Sequence, residues 1–329
     1  MLIRKLQDGT PCSALGFGCS AVMGRASRKK SLEAMSLAFD AGVNLFDTAR
    51  SYGYGDSEAV LGEFSKGRRE QILISTKFGM RPSQRQTWKR ALRPAARLLL
   101  KAVPRARGAV RARAGSQLER GEYTAETMRK SLEESLLQLR TDYVDFFFLH
   151  EIHADAMARG EVQDELFSAL DKLREQGKVR WIGVSSSFNA VAASIELRPE
   201  LNSFQMPANF LTFADAEKAA SQTGGRVFIG NHLFGGTDGQ ELAKQKFESL
   251  AQDETLPPGL REKLKSCAGN AMMVPALMDL ALRGLHAQAV LTSMIQPKHI
   301  SINVAAVGTP VFSDHELEAL GGAMRVGTA

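Results

Sequence analysis

The sequence predicts an α/β fold, a (β/α)8 barrel with a short β-hairpin ahead of it and a long basic insertion after the third barrel strand. Three observations carry that expectation. Short runs rich in β-branched and aromatic residues alternate with segments whose apolar residues recur at helical spacing. The 329 residues are 44% hydrophobic, enough for one large core. Polar residues capable of chemistry fall at the carboxyl ends of the β runs, the face where such barrels carry their sites.

The elements follow in order along the chain. LIRKL and the turn residues of DGTP read as a hairpin that plugs the barrel floor. ALGFGCS supplies the first barrel strand, Ser31 to Ala41 a helix, GVNLFD the second strand, Ser57 to Ser65 a helix and QILIST the third strand. Thr124 to Leu139 is the clearest helix. Thr124 is its N-cap candidate with Thr127 in the first turn, and Met128, Leu132, Leu136 and Leu139 recur at three- and four-residue steps. YVDFFFL, apolar but for Asp145, reads as a buried strand. Asp164 to Gln176 is helical and stops at Gly177, a C-cap signal, before VRWIGVS. NSFQM, RVFIGN and AVLTS are the last three strands, separated by weaker helical segments, so residues 1–329 read as one barrel domain.

Residues 81–120 stand apart, because a loop after a barrel strand is normally short. They hold 12 Lys and Arg against one Glu, a net charge of +11 in a chain of +6, so the other 289 residues sum to −5. The expectation is a lid over the substrate mouth, one that would favour anionic or polyhydroxylated substrates. A membrane-surface contact through residues 85–113 or a contact with an acidic partner ranks below it, as does a merely solvated elaboration. Nucleic acid is not an expected partner, since no recognition motif is present and Trp88 is the only aromatic among these cations.

Cys12, Cys19 and Cys267 are an odd set without CxxC spacing and read as reduced thiols, Cys19 lying near the mouth. The six His are scattered without ligand spacing, so no metal is expected. The first residues lack a long apolar signal region and no apolar run is long enough to cross a bilayer, which makes the cytoplasm the expected compartment. The sequence sets no oligomeric state.

Four residues at the ends of successive strands carry the chemistry: Asp47 and Tyr52 in NLFDTARSYG, Lys77 in ILISTKFG and His150 in YVDFFFLH. A phenol is a poor acid near neutrality, with an ordinary pKa of about 10. A lysine cation beside it favours the phenolate, a carboxylate keeps that lysine charged and aimed, and an imidazole orients a carbonyl oxygen. With its DTAxxYG, KFG and strand-end His signatures, the chain resembles the aldo-keto reductases over nearly its whole length. That resemblance implies a barrel enzyme with Tyr52 as proton donor, Lys77 held by Asp47 lowering its pKa, and His150 orienting the substrate carbonyl.

The resemblance also implies a nicotinamide cofactor, NADPH first and NADH as the alternative. Ser185, Ser186 and Gln205 fall where relatives hold the nicotinamide carboxamide, although Ser186 stands where Asn is usual. Gly230 falls where many relatives carry a ring-stacking aromatic, followed by Asn231, His232 and Leu233, with Gly235 in a Gly-rich loop suited to phosphate. Ser293 and His299 take positions where relatives place 2′-phosphate cations, and Asn303 matches an adenine-binding Asn. Met23, Tyr54, Glu151 and His153 are the candidate substrate residues, for a small carbonyl compound or a sugar. The expected function is reduction of an aldehyde or ketone to an alcohol, or the reverse on a sugar hydroxyl or lactol. The alternative is a low-turnover cofactor-sensing or scaffold protein on the same fold.

Overall fold

A computed structural model describes residues 1–82, 118–120, 122–153, 157, 160–236 and 238–326. The lid expected over 81–120 lies outside the described residues except at its two ends. There β6 (Met80–Pro82) and β7 (Leu118–Arg120) pair antiparallel, with Met80 opposite Arg120.

Eight parallel strands close into a TIM barrel, each beside its successor: β3 (Leu15–Gly18), β4 (Leu45–Asp47), β5 (Leu73–Phe78), β8 (Val144–His150), β9 (Val179–Ser185), β10 (Ser203–Pro207), β11 (Val227–Asn231) and β12 (Ala289–Thr292). The predicted hairpin is β1 (Ile3–Lys5) with β2 (Pro11–Ser13). The Arg4 guanidinium donates to the carbonyls of Leu282 and Ala287, and Leu6 and Cys12 join the cluster that fills the barrel, so the hairpin seals the floor.

The helices form where sequence chemistry starts and stops them. Ser27 caps α1 (Arg28–Asp40) by accepting from the Lys30 amide, one turn earlier than the predicted start. The helix α2 spans Ser57–Phe64. Thr124 and Thr127 form a reciprocal capping box on α3 (Ala125–Leu139). After α4 (Gly160–Glu175) the chain turns through Gly177 at a φ of 73°. Next come α5 (Phe188–Leu197) and α6 (Phe213–Gln222). Between β11 and β12 stand three helices, α7 (Gly239–Leu250), α8 (Pro258–Cys267) and α9 (Asn270–Asp279), followed after β12 by α10 (Pro297–Val307) and α11 (Asp314–Val326). Among the described residues no helix is long and apolar enough to cross a membrane.

Two apolar clusters divide along the two-residue period of the strands. Leu45, Leu73, Phe146, Phe148, Trp181, Val227, Ile229 and Leu291 fill the barrel. Phe46, Ile74, Phe147, Ile182, Phe228 and Val290 pack outward into the larger cluster beneath the helices. The inward phase, carried one or two steps further toward the carboxyl ends, gives Asp47, Lys77, His150, Ser185, Asn231 and Ser293. The same alternation that packs the core therefore collects polar groups at the mouth.

Candidate active site

Asp47, Lys77 and His150 reach the mouth as inward residues of β4, β5 and β8, and Tyr52 arrives from the turn after β4. That turn holds Gly53, Tyr54 and Gly55 in the left-handed region, at φ values of 59°, 63° and 89°. A Cβ on Gly53 would sit 2.4 Å from the Val22 carbonyl oxygen, so only glycine brings the loop in this close. Tyr54, Met23 (58°), Glu151 (56°) and His232 (50°) make four of the six non-glycine residues with positive φ among those described, and all lie on loops at this end of the barrel. Strained backbone collected there fits a site whose surroundings over-determine its geometry.

The four predicted residues come together. Lys77 Nζ lies 2.6 and 2.7 Å from the two Asp47 oxygens and 2.8 Å from the Thr48 carbonyl, and 5.0 Å from the centre of the Tyr52 ring. The Tyr52 and His150 rings meet edge to face, 6.1 Å apart and inclined at 82°. Asp47 Oδ1 also accepts from Ser75 Oγ at 2.7 Å and from Gln205 Nε2 at 2.9 Å, while Gln205 Oε1 accepts from Ser185 Oγ at 2.6 Å. The Tyr123 phenol donates to the His150 carbonyl at 2.5 Å and lies against Gly79, where a Cβ would sit 2.5 Å from its ring. Tyr123 carried no motif and was not legible in the sequence.

Burial dominates the electrostatics. It pushes the Tyr52 phenol above its ordinary value, and the Lys77 cation only partly offsets this, with Asp47 adding to the rise. Lys77 acts on the phenol in the expected direction, lowering its pKa, but desolvation of the phenolate is larger. For Lys77, burial alone would lower the pKa; Asp47 and then Tyr52 reverse that, and the ammonium ends above its usual value. Burial, followed by the Lys77 charge, lowers His150 to about 3, so its imidazole is neutral and offers one N–H donor. Cys19 is wholly buried, near enough to Asp47 and Lys77 to feel their charges, and burial raises its thiol.

A cavity of about 920 Å³ opens at this end. Of the predicted residues it is lined by Asp47, Tyr52, His150, Glu151, Gln205, Asn231, Leu233 and Ser293. Lys77 and Ser185 lie behind this wall, paired with Asp47 and Gln205. Ser186 gives its hydroxyl hydrogen to the Ile152 carbonyl at 2.8 Å, and buried Asn303 donates to Thr292 Oγ1 at 3.0 Å. Met23, Tyr54, His153, Gly235 and His299 are outside the lining, His153 and His299 being exposed. Gly230 also falls outside it, because it is in the outward phase of β11, and a Cβ there would sit 2.5 Å from Ala208 Cβ. An aromatic at 230 would point under the helices, and the cavity-facing residue of that stretch is Asn231. Ser20, Arg25, Met80, Phe234, Gly236 and Thr292 also line the cavity. A second groove of about 970 Å³, lined by Arg226, His286 and Arg325 among others, contains none of the four.

The residues present fit a dinucleotide. The cavity runs from Tyr52 and His150 to the turn after β11, where Gly235 and Gly236 have φ values of 67° and 91° and no atom lies within 4 Å of where a Gly236 Cβ would stand. Asn231 Oδ1 in its wall is buried without a hydrogen-bond partner.

Comparison with known proteins agrees with this architecture. L-galactose dehydrogenase of Arabidopsis thaliana is 31% identical over 180 residues, 54% of this chain and 46% of its own length. Aldo-keto reductase YhdN of Bacillus subtilis is 29% identical over 227 residues, 64% of this chain and 57% of its own. The chain thus spans about half the length of the curated relatives it matches. Two other relatives are named for NADP(+) and one for NADH. Aldo-keto reductase AKR11C1 from Bacillus halodurans, in its holo form, superposes with a TM-score of 0.64 at 22% identity, covering 98% of this chain and 96% of that one, which shows the shared fold. The Aldo/keto reductase family profile matches residues 14–221, and the chain belongs to that family.

Proposed function

We infer that the protein is an NAD(P)(H)-dependent oxidoreductase that reduces an aldehyde or ketone to an alcohol, or runs the reverse on a sugar hydroxyl or lactol. The observation that carries this reading is the buried Lys77 ammonium, held by Asp47 and lying under the Tyr52 ring. The dinucleotide, when bound, supplies the hydride that adds to the carbonyl carbon. Tyr52 gives its phenolic proton to the carbonyl oxygen, and Lys77 stabilises the phenolate left behind. Neutral His150 donates its N–H to the same oxygen and holds it toward Tyr52. Asp47 keeps Lys77 charged, with Ser75 and Gln205 fixing the carboxylate.

The cofactor we favour is NADPH, with NADH second. Lys298 and His299 stand exposed in the first turn of α10, able to face a 2′-phosphate, but no arginine of that turn offers bidentate contacts. The low-turnover reading draws on a specific observation: Ser185, Ser186 and Gln205, the groups expected to hold the carboxamide, are all engaged with the protein itself. A fluorescence titration with NADPH and NADH, followed by a panel of aldehydes and ketones, separates the two. Micromolar binding with carbonyl-dependent loss of nicotinamide absorbance is expected; tight binding without turnover would favour the sensor, and no binding would remove both.

A further inference from the structure

Among the described residues the His150 ring makes no hydrogen bond, and its aromatic contact is the edge-to-face Tyr52 ring. Its aim therefore depends on the backbone that carries it. His150 closes β8, and the ladder between β5 and β8 stops one residue before it, with Phe78 opposite Leu149. Gly79, at a φ of 121°, leads the chain off to β6. Glu151 turns at once into the left-handed region, at 56°. A strand end of this kind keeps its course only where its surroundings hold it.

Two hydrogen bonds hold the peptide unit that joins His150 to Glu151. Its N–H donates to the Ser185 carbonyl at 2.8 Å, and its carbonyl accepts from the Tyr123 phenol at 2.5 Å. The first continues the ladder with β9, where His150 lies opposite Ser185. The second comes from the residue just before the Thr124 cap of α3, on the side that β5 has left. The Tyr123 ring is itself fixed. It lies edge to face with Phe78 at 5.6 Å and against Gly79, where a Cβ would sit 2.5 Å from it. Tyr123 is not in the cavity lining, so its effect on the chemistry passes through His150.

We propose that Tyr123 is a positioning residue for His150. Its phenol fixes the plane of the peptide that ends β8, and so sets where the imidazole N–H meets the substrate carbonyl oxygen beside Tyr52. The proposal rests on the oxidoreductase reading above. A misplacement of about 1 Å at a reacting centre costs up to ~10²-fold in rate, so a hydrogen bond one peptide away from the imidazole has a kinetic readout.

The test is Tyr123→Phe, which keeps the ring on Phe78 and removes the hydroxyl. It should lower kcat about tenfold while KM and the dinucleotide Kd stay within about twofold, the pattern of an interaction used in the transition state. In a His150→Ala background the same substitution should cost less than about twofold in kcat, because no imidazole is left to aim. A residue that only supports the fold gives an equal loss in both backgrounds. That result, or an unchanged kcat in the single variant, would overturn the proposal and leave the oxidoreductase reading standing. NMR of histidine-labelled protein reads the placement without turnover. The imidazole signal assigned to His150 by its loss in His150→Ala should move in Tyr123→Phe, and a signal left in place would overturn the proposal. Absence of carbonyl turnover in the unaltered protein would overturn the oxidoreductase reading and the catalytic role with it, while the NMR signal still decides whether Tyr123 places the imidazole.

Discussion

The two walls of the cavity differ in how completely the protein satisfies its own polar groups. On the side of β4, β5 and β8, Asp47 accepts from Lys77, Ser75 and Gln205, and the Lys77 ammonium is wholly enclosed. On the side of β11 and β12, Asn231 has an orphaned oxygen and Ser293 lies open. The first wall has its polar groups paired within the protein, a fixed arrangement of the kind the proposed proton transfer needs. The second wall is left incomplete and so is suited to recognition. Enzymes that combine the two divide their stability in this way, because charge stabilisation needs fixed dipoles while binding needs groups still free to pair.

The sharpest way to break this division is Tyr52→Phe. It should lower kcat on the order of 10²–10⁴-fold, the usual worth of a positioned general acid, while the dinucleotide binds as before. Near-normal turnover in that variant would sink the proton-donor role.

Lys77→Met addresses the finished wall directly. It leaves Asp47 charged, buried and short of its cation, and should destabilise the fold by about 3–5 kcal/mol. Urea unfolding measures it, and a loss below about 1 kcal/mol would mean that water reaches Asp47.

The pH dependence of stability sharpens the account of His150. Unfolded, the imidazole takes a proton below its ordinary 6.5; folded, it does so only near 3. The unfolded state therefore binds more protons in that window, and His150 makes stability fall as pH drops through it, by at most ~1.4 kcal/mol per pH unit. Comparing the protein with His150→Gln at pH 7 and pH 4.5 isolates this contribution, and equal losses in the two would show that the imidazole titrates normally in the fold.

Gly230→Ala should have the smallest effect, about 1–3 kcal/mol of stability from the clash with Ala208. Dinucleotide affinity should not change, because position 230 faces the helices. A large affinity loss without a stability loss would put that position back in the cavity.

The finished wall was also the legible one. Asp47, Tyr52, Lys77 and His150 stand in fixed short motifs that close apolar runs, and hydrophobic patterning locates such runs. The other wall was harder because it turns on phase: in FIGN a shift of one residue decides whether Gly230 or Asn231 enters the cavity, and a run apolar on both faces does not reveal its phase. Ser186 reads as a cofactor contact in the sequence, which does not reveal that its hydroxyl hydrogen goes to the Ile152 carbonyl. Arg25 was missed because it comes from a loop, where no period applies, and Met80 because it stands on β6, a short strand outside the barrel. The helices α7, α8 and α9 read as weak segments, α9 in part because Pro275 lies inside it.

The hairpin of Ile3–Lys5 and Pro11–Ser13 has a kinetic consequence. Phe146, Phe148 and Trp181 fill the barrel and Leu6 and Cys12 close it below, so ligands reach the site only from the mouth. Two ligands that share a single doorway cannot exchange independently: whichever seats deeper must enter first and leave last. Steady-state product-inhibition patterns would then show compulsory order, and release of the deeper ligand would set the pace of the cycle whenever its grip is tight.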